Sequence, residues 1–323
     1  MKFFKKVFEY SIIFLLIVTL NFFIPRLMPG DPFTFLSSDE GDIHHMYTEE
    51  EVEMYKSYYG LDKPIVKQYI EYINNLTKGN LGYSIYYNDT VISIILKRAI
   101  WTLGISTISL LISTLIGLVL GSISAWYRNT WLDRVLYPLM ITLSEIPSFL
   151  IAIFLLFILA AKTGLFPLSG GITVFAEYEN NLDKILDILH HGILPTLSLV
   201  LSQLGGFYLL SRNSMITVIS KDYMTTAVAK GLSSKRIIFR HGLKNSIIPV
   251  LTRFFLSLGS VLSGAILVEN VFNYPGIGRL MRQAVMVRDY TLIQGIFLFV
   301  TFLVLSMNLL ADIVYKKIDP RVN

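Results

Sequence analysis

The chain has 323 residues, of which 53% are hydrophobic and 16% charged, and its net charge is +5. Soluble domains carry roughly 25% charged residues, so this deficit, with apolar runs of about 20 residues, places the protein in a bilayer. There is no cysteine, which excludes thiolate chemistry, and in a membrane protein an excess of Lys and Arg points to orientation before it points to nucleic acid.

At the N-terminus, Lys2, Lys5 and Lys6 precede an apolar run from about Tyr10 to Met28. No small-residue cleavage site follows, and the run is long enough to span, so it reads as a retained first helix. Six spans are predicted, at 10–28, 99–126, 135–161, 192–212, 249–272 and 290–315. The expected fold class is therefore an all-α integral membrane protein with six transmembrane helices. It has a long first extracytoplasmic loop and a cytoplasmic loop between helices 4 and 5. Segments 1–9, 127–134, 212–253 and 312–323 are all net positive, whereas 29–98 carries 6 basic and 11 acidic residues and 162–191 carries 2 and 4. Positive charge collects on the cytoplasmic side, which puts both termini there. One segment dissents: 273–289 has Arg279, Arg282 and Arg288 against Asp289.

The first outer loop is too long for a plain connector. Its stretch "TEEEVEMYKSYYGLDKPIVKQYIEYINNL" has helical spacing interrupted at Gly60 and Pro64, and a small helical cap is expected. His44-His45 and His190-His191 lack the spacing of metal ligands and read as solvated surface. The sequons at Asn75 and Asn88 matter only in a cell that glycosylates. In the second span Ser113, Gly117, Gly121 and Ala125 recur every fourth residue, a stripe that lets another helix approach closely.

Three of the charges that fall within spans stand out. Arg26 and Glu269 lie near the outer interface, where they pair or snorkel. Glu145, in "TLSEIPSF", falls near the midplane, where an ionised carboxylate needs water or a partner. Pro147 frees a backbone carbonyl beside it. Glu145 is thus the candidate lining residue of a translocation pathway, against the alternative of a hydrogen-bonded contact between helices.

The segment "DYMTTAVAKGLSSKRIIFRHGLKNSIIP", residues 222–249, breaks the apolar pattern with Lys230, Lys235, Arg236, Arg240 and Lys244 against a single acid, Asp222. Asp222 is a candidate N-cap, and Gly231 fits the left-handed position that ends a helix. Ser233 or Ser234 can cap a second short helix ending at Gly242, and Pro249 opens the fifth span. Anionic lipid, nucleic acid and a cytoplasmic protein are the conceivable partners. The small residues Ala227, Ala229 and Gly231 favour close protein contact, and no nucleic-acid reading module is present.

This segment resembles the cytoplasmic loop of ABC-importer permeases. Its form "DYxxTAxAKGLSxxRIxxRHxLxNxxxP" is similar to that of the dipeptide, oligopeptide and nickel permease family, although Thr225 and Thr226 stand where the generic motif has Glu and Ala. "PGDP" at 29–32, "YGLDKPIVKQY" at 59–69, "GNLGYS" at 79–84, "VENVFNYPGIGRL" at 268–280, "RDYTLIQG" at 288–295 and "DPR" at 319–321 extend the resemblance in family order. It is that of a B-type permease subunit in a prokaryotic plasma membrane. The resemblance implies a second permease subunit forming a heterodimer, two ATPase subunits, and an extracytoplasmic substrate-binding protein. It divides the chain into a first helix and cap (1–98), a permease core (99–316) with coupling loop 213–249, and a cytoplasmic tail (317–323). ATP and Mg²⁺ belong to the ATPase subunits, since no GxxxxGK[ST] occurs here and no cofactor is expected on this chain. Within the loop, Ala227, Gly231, Leu232, Ile237 and Arg240 are the expected ATPase contacts. Peptides are the expected substrate, with nickel or another small solute as the alternative. A membrane-embedded enzyme lacks paired catalytic groups at depth, and a self-sufficient secondary transporter would need no ATPase.

Overall fold

The computed structural model describes residues 2–27, 53, 62–84 and 86–318. The first half of the expected cap, with His44-His45 and "PGDP", lies outside these residues, as does the terminal "DPR". Helix α1 is Lys2–Phe23, α2 is Ile65–Thr77 and α3 is Val91–Trp126; a short antiparallel ladder, β1 (Tyr83–Ser84) with β2 (Asp89–Thr90), precedes α3. Next come α4 (Trp131–Glu145), α5 (Ser148–Leu155) and the long α6 (Asn181–Ile219). The remainder is α7 (Asp222–Ala229), α8 (Ser234–Arg236), α9 (Leu243–Val271), α10 (Ile277–Met286) and α11 (Tyr290–Ile318).

Among the described residues, five helical stretches are long and apolar enough to cross a membrane: Phe8–Leu27, Val91–Trp126, Asn181–Ile219, Ser234–Val271 and Tyr290–Val314. The predicted third span is instead two helices, Trp131–Glu145 and Ser148–Lys162, bent by 102° at Ile146-Pro147. The cause is local. Pro147 has no N–H to donate to the ladder and holds the residue before it extended, as Ile146 is (ψ 121°). Beyond α5 the chain runs on through Leu156–Lys162 with wider, π-type turns.

The chain divides into two compact units. The first holds residues 1–100 and 276–305. Here Asn21 donates to the Gln294 carbonyl at 2.8 Å, and Gln294 donates back to the Phe22 carbonyl at 3.3 Å. Arg26 lies 3.7 Å over the Phe22 ring and donates to Gln68 at 3.1 and 3.2 Å, so its charge is held within this unit by α1 and α2. Two motifs that looked separate in sequence meet here. Ser84, ending "GNLGYS", donates to Asp289 of "RDYTLIQG" at 2.5 Å. Asp289 also accepts from the Leu292 N–H at 2.9 Å, capping α11, and burial pushes its carboxyl pKa up. Gly295 leaves the space that the Val91 side chain fills.

The second unit holds residues 101–275 and 306–323. Its centre is α6. The predicted small-residue stripe of α3 is buried against it: a Cβ on Gly121 would lie 2.5 Å from the Tyr208 carbonyl, and one on Gly117 2.7 Å from Phe207 Cβ. Gly205 lets α4 cross as closely, with the Met140 carbonyl over it. The main apolar cluster joins Ile105, Ile151, Leu155, Leu199, Ala265 and Val268. At the end of α9, Asn273 takes a left-handed φ of +50° and the Tyr274 N–H reaches the Glu269 carbonyl at 2.8 Å. That is the glycine-type helix stop built with Asn, and it accounts for "NYP" within "VENVFNYPGIGRL". The His pair is corrected in part. His191 is buried, held by the Asp187 carbonyl at 2.9 Å, and His190 bonds the Leu165 carbonyl at 3.1 Å. Asp187 in turn ties down Thr173 and Tyr178. Among the described residues no cluster of three metal-ligating side chains exists.

Candidate functional site

The basic segment folds as a helical hairpin beyond the end of α6. α7 begins with Asp222 as its first residue, so Asp222 supplies charge to the first turn and Lys221 occupies the capping position. The helix stops at Gly231, whose φ is +69°. The Gly231 N–H reaches the Val228 carbonyl at 2.9 Å and the Leu232 N–H reaches Ala227 at 3.4 Å, the two bonds of a Schellman stop. This is the role read for Gly231 from sequence.

The second half departs from expectation. Ser233 makes no side-chain cap, and the helix starting at Ser234 does not end at Gly242. It passes through π-type turns at Ile237–Gly242 and continues into α9, giving one 38-residue helical run from Ser234 to Val271. Gly242 is needed for space, because the Met215 side chain of α6 lies where its Cβ would be. Pro249 sits inside α9 rather than at its start. The hairpin is thereby a rigid extension of a span.

Burial sorts the five expected contact residues. Met224, Ala227 and Ile237 are buried in a cluster with Val218 and Trp126, and Ile238 with Ala125 and Met215. Ala227 and Ile237, at 6% and 2% exposure, face the chain's own helices. Leu232 is half-buried; Gly231 and Arg240 are exposed. The outward apolar residues are Tyr223, Val228 and Phe239, which the sequence reading did not select. In the same segment Lys230, Lys235, Arg236, Arg240 and Lys244 are all exposed.

Above the hairpin a buried ion pair joins three helices. Arg212 of α6 donates to both oxygens of Asp133 on α4 at 2.9 Å each. Asp133 also accepts from Ser124 of α3 at 2.5 Å and from the Asn129 N–H at 3.2 Å, and Ser124 bonds the Tyr208 hydroxyl at 2.6 Å. The Arg212 guanidinium lies 4.5 Å over the Tyr137 ring. Asp133 and Arg212 lie at or beside predicted span ends, where sequence alone shows a lone acid among basic residues but not its partner.

Glu145 is the last residue of α4, exposed at the bend, within 3.4 Å of its neighbour Ser144 Oγ. Ser144 lines a cavity of about 190 Å³ between α4, α6 and α9, together with Ser202, Gln203, Gly206, Arg253 and Ser257. Both the bend and this polar cavity lie within the apolar stretches.

Residues 117–323 match the family described as binding-protein-dependent transport system inner membrane component. Curated relatives extend over nearly the whole chain. The di/tripeptide transport system permease protein DppB of Pseudomonas aeruginosa (strain UCBPP-PA14) is 33% identical over 95% of this chain and 94% of its own. The oligopeptide transport system permease protein AppB of Bacillus subtilis (strain 168) is 33% identical, with the same coverage of both chains. The glutathione transport system permease protein GsiC of Shigella flexneri serotype 5b (strain 8401) is 32% identical, again over 95% and 94%. Among solved structures, a chain of the inward-facing MetNI methionine ABC transporter superposes with a TM-score of 0.55 at 14% identity. It covers 71% of this chain and 97% of that one, a likeness of fold. With a helical bundle of spans, a rigid basic hairpin on its end and relatives matched nearly end to end, the chain belongs to the family of binding-protein-dependent transport system inner membrane components.

Proposed function

We propose that the chain is the permease subunit of an ATP-driven importer of di- or oligopeptides in a prokaryotic plasma membrane. It forms half of the translocation pathway and is driven through the hairpin Asp222–Gly242. The observation that carries this reading is the two-sided hairpin. Its inner residues are locked to α6 and its outer face offers apolar knobs in a cationic rim, as a docking plate for a separate motor requires. A Schellman stop on one arm and helical continuity with α9 on the other let rigid-body motion pass from plate to span. Peptide permeases among the relatives support the substrate class.

In this reading the bent pair 131–162 is one crossing, which gives six, and both termini are cytoplasmic. The chain pairs with a second permease subunit as a heterodimer. Two ATPase subunits bind ATP and Mg²⁺ below, and an extracytoplasmic binding protein delivers peptide above. Direct ATPase contacts are Gly231, Leu232 and Arg240 with Tyr223, Val228 and Phe239, while Ala227 and Ile237 hold the plate in place. In proteoliposomes carrying the full complex, peptide uptake is expected to require ATP and both ATPases. Cross-links from a cysteine at Gly231 are expected to reach an ATPase subunit. Ion-gradient-driven uptake by the chain alone, with cross-links to lipid only, would refute the proposal.

Glu145, exposed at the bend beside the cavity-lining Ser144, retains its proposed place on the pathway. Glu145→Ala is expected to slow uptake of cationic peptides more than neutral ones. Equal wild-type rates for both remove it from the pathway.

A further inference from the structure

The cavity between α4, α6 and α9 carries a charge that the hairpin does not use. Arg253 lies roughly 15 Å along α9 from Leu243, and Gly206, facing it on α6, is roughly 20 Å from the end of that helix. An arginine this far inside an apolar span is costly unless water or a ligand meets it, and it marks a pathway before it marks packing. The site is shaped for the guanidinium. A Cβ on Gly206 would lie 2.5 Å from an Arg253 terminal nitrogen, so a larger residue there would push the guanidinium aside, and the Phe207 ring lies 5.6 Å from the guanidinium carbon.

The polar groups here are incomplete in a complementary way. Among the described residues Arg253 makes no ion pair with a carboxylate, and its side chain is exposed to the cavity. Gln203, one turn from Gly206 on α6, also lines the cavity, and among the described residues its Oε1 is buried without a hydrogen-bond donor. Ser144, Ser202, Ser257 and Ser260 also line it, beside the apolar Leu199, Phe207 and Val261. Arg253 needs an acceptor, preferably one matching its planar fork, and Gln203 Oε1 needs an N–H. The end of a peptide offers both, a carboxylate with an amide N–H one residue back. A bare metal cation offers neither and is repelled by Arg253.

We propose that this cavity is a carboxylate-binding subsite of the translocation path, in which Arg253 holds the C-terminal carboxylate of a passing peptide and Gln203 accepts from its last N–H. The proposal rests on the permease reading and narrows its substrate class to peptides with a free C-terminus, against nickel. The subsite has to be weak, since a tightly held peptide would not leave. Its location within the spans makes it separate from the selectivity of an external binding protein.

The test uses the complete complex in proteoliposomes, with a tripeptide as the free acid and as its C-terminal amide, each at concentrations that saturate the binding protein. Arg253→Gln is expected to lower free-acid uptake about tenfold or more, the loss of one charge-assisted hydrogen-bonded pair, and to lower amide uptake by much less, so that the preference for the acid over the amide is lost. Arg253→Lys is expected to fall between. A tripeptide with a photoreactive C-terminal side chain is expected to label α6 around Gln203 in the wild type and to lose that label in Arg253→Gln. Unchanged free-acid uptake overturns the proposal. So does an equal loss for acid and amide, which makes Arg253 structural, or labelling confined to lipid, which assigns the cavity to an anionic headgroup. ATP-dependence of wild-type uptake is read in the same vesicles; its failure removes the permease reading itself and is told apart from failure of the subsite.

Discussion

Asp133→Ala is expected to destabilise the protein by about 3–5 kcal/mol, because it leaves the Arg212 guanidinium buried without its carboxylate. Side-chain exposure is only 11% for Arg212 and 7% for Asp133, so water cannot replace the lost partner cheaply. The loss extends beyond the pair, since Ser124 and the Asn129 N–H also donate to Asp133. Arg212→Ala is expected to cost as much for the opposite reason, an unneutralised carboxylate. Replacing both residues by Met and Leu is expected to recover most of the loss, since a buried pair exchanged for well-packed apolar side chains is often neutral. Thermal unfolding in detergent, followed by loss of the monodisperse peak, measures all three variants. Single and double variants of equal stability would show that the pair does not hold the hairpin-side ends of α3, α4 and α6 together.

The parts of this protein readable from sequence are those set by one-dimensional physics. Apolar runs locate the spans because a bilayer requires about 20 apolar residues per crossing. The Ser113–Gly117–Gly121–Ala125 stripe locates a packing face because small residues alone permit that approach. Gly231 marks a helix stop because a left-handed residue is costly for any side chain. What failed depended on three dimensions. Gly242 looked like the same stop as Gly231, yet it serves Met215, a residue of another helix. Ala227 and Ile237 are conspicuous in sequence as small and apolar positions in a basic segment; only the folded hairpin shows that both are buried. Arg253 was counted with the basic loop although it lies inside the predicted span 249–272, and the adjacent Gly205 and Gly206 were the available hint. One glycine accommodates α4 and the other the guanidinium.

The two faces of the hairpin are expected to fail differently. Val228 is 54% exposed, and an aspartate there places an acid on a segment with five exposed basic side chains where an apolar contact is proposed. Val228→Asp is expected to lower capture of the ATPase subunits by at least about tenfold, the scale of one desolvated interface anchor. The permease itself should keep its thermal stability, because nothing buried is disturbed. Ile237 is 2% exposed and packs in the cluster with Val218, Met224 and Ala227. Ile237→Ala is expected to loosen the hairpin by about 2–5 kcal/mol while its outer face remains able to dock. The ATPases then still co-purify and hydrolyse ATP, but the motion is spent in a loose joint and peptide uptake per ATP falls. Affinity capture, ATP hydrolysis and uptake measured on the same preparations separate these outcomes. If both variants lose capture and uptake in the same proportion, the hairpin has no mechanically distinct inner and outer faces, and its proposed role in transmitting force is wrong.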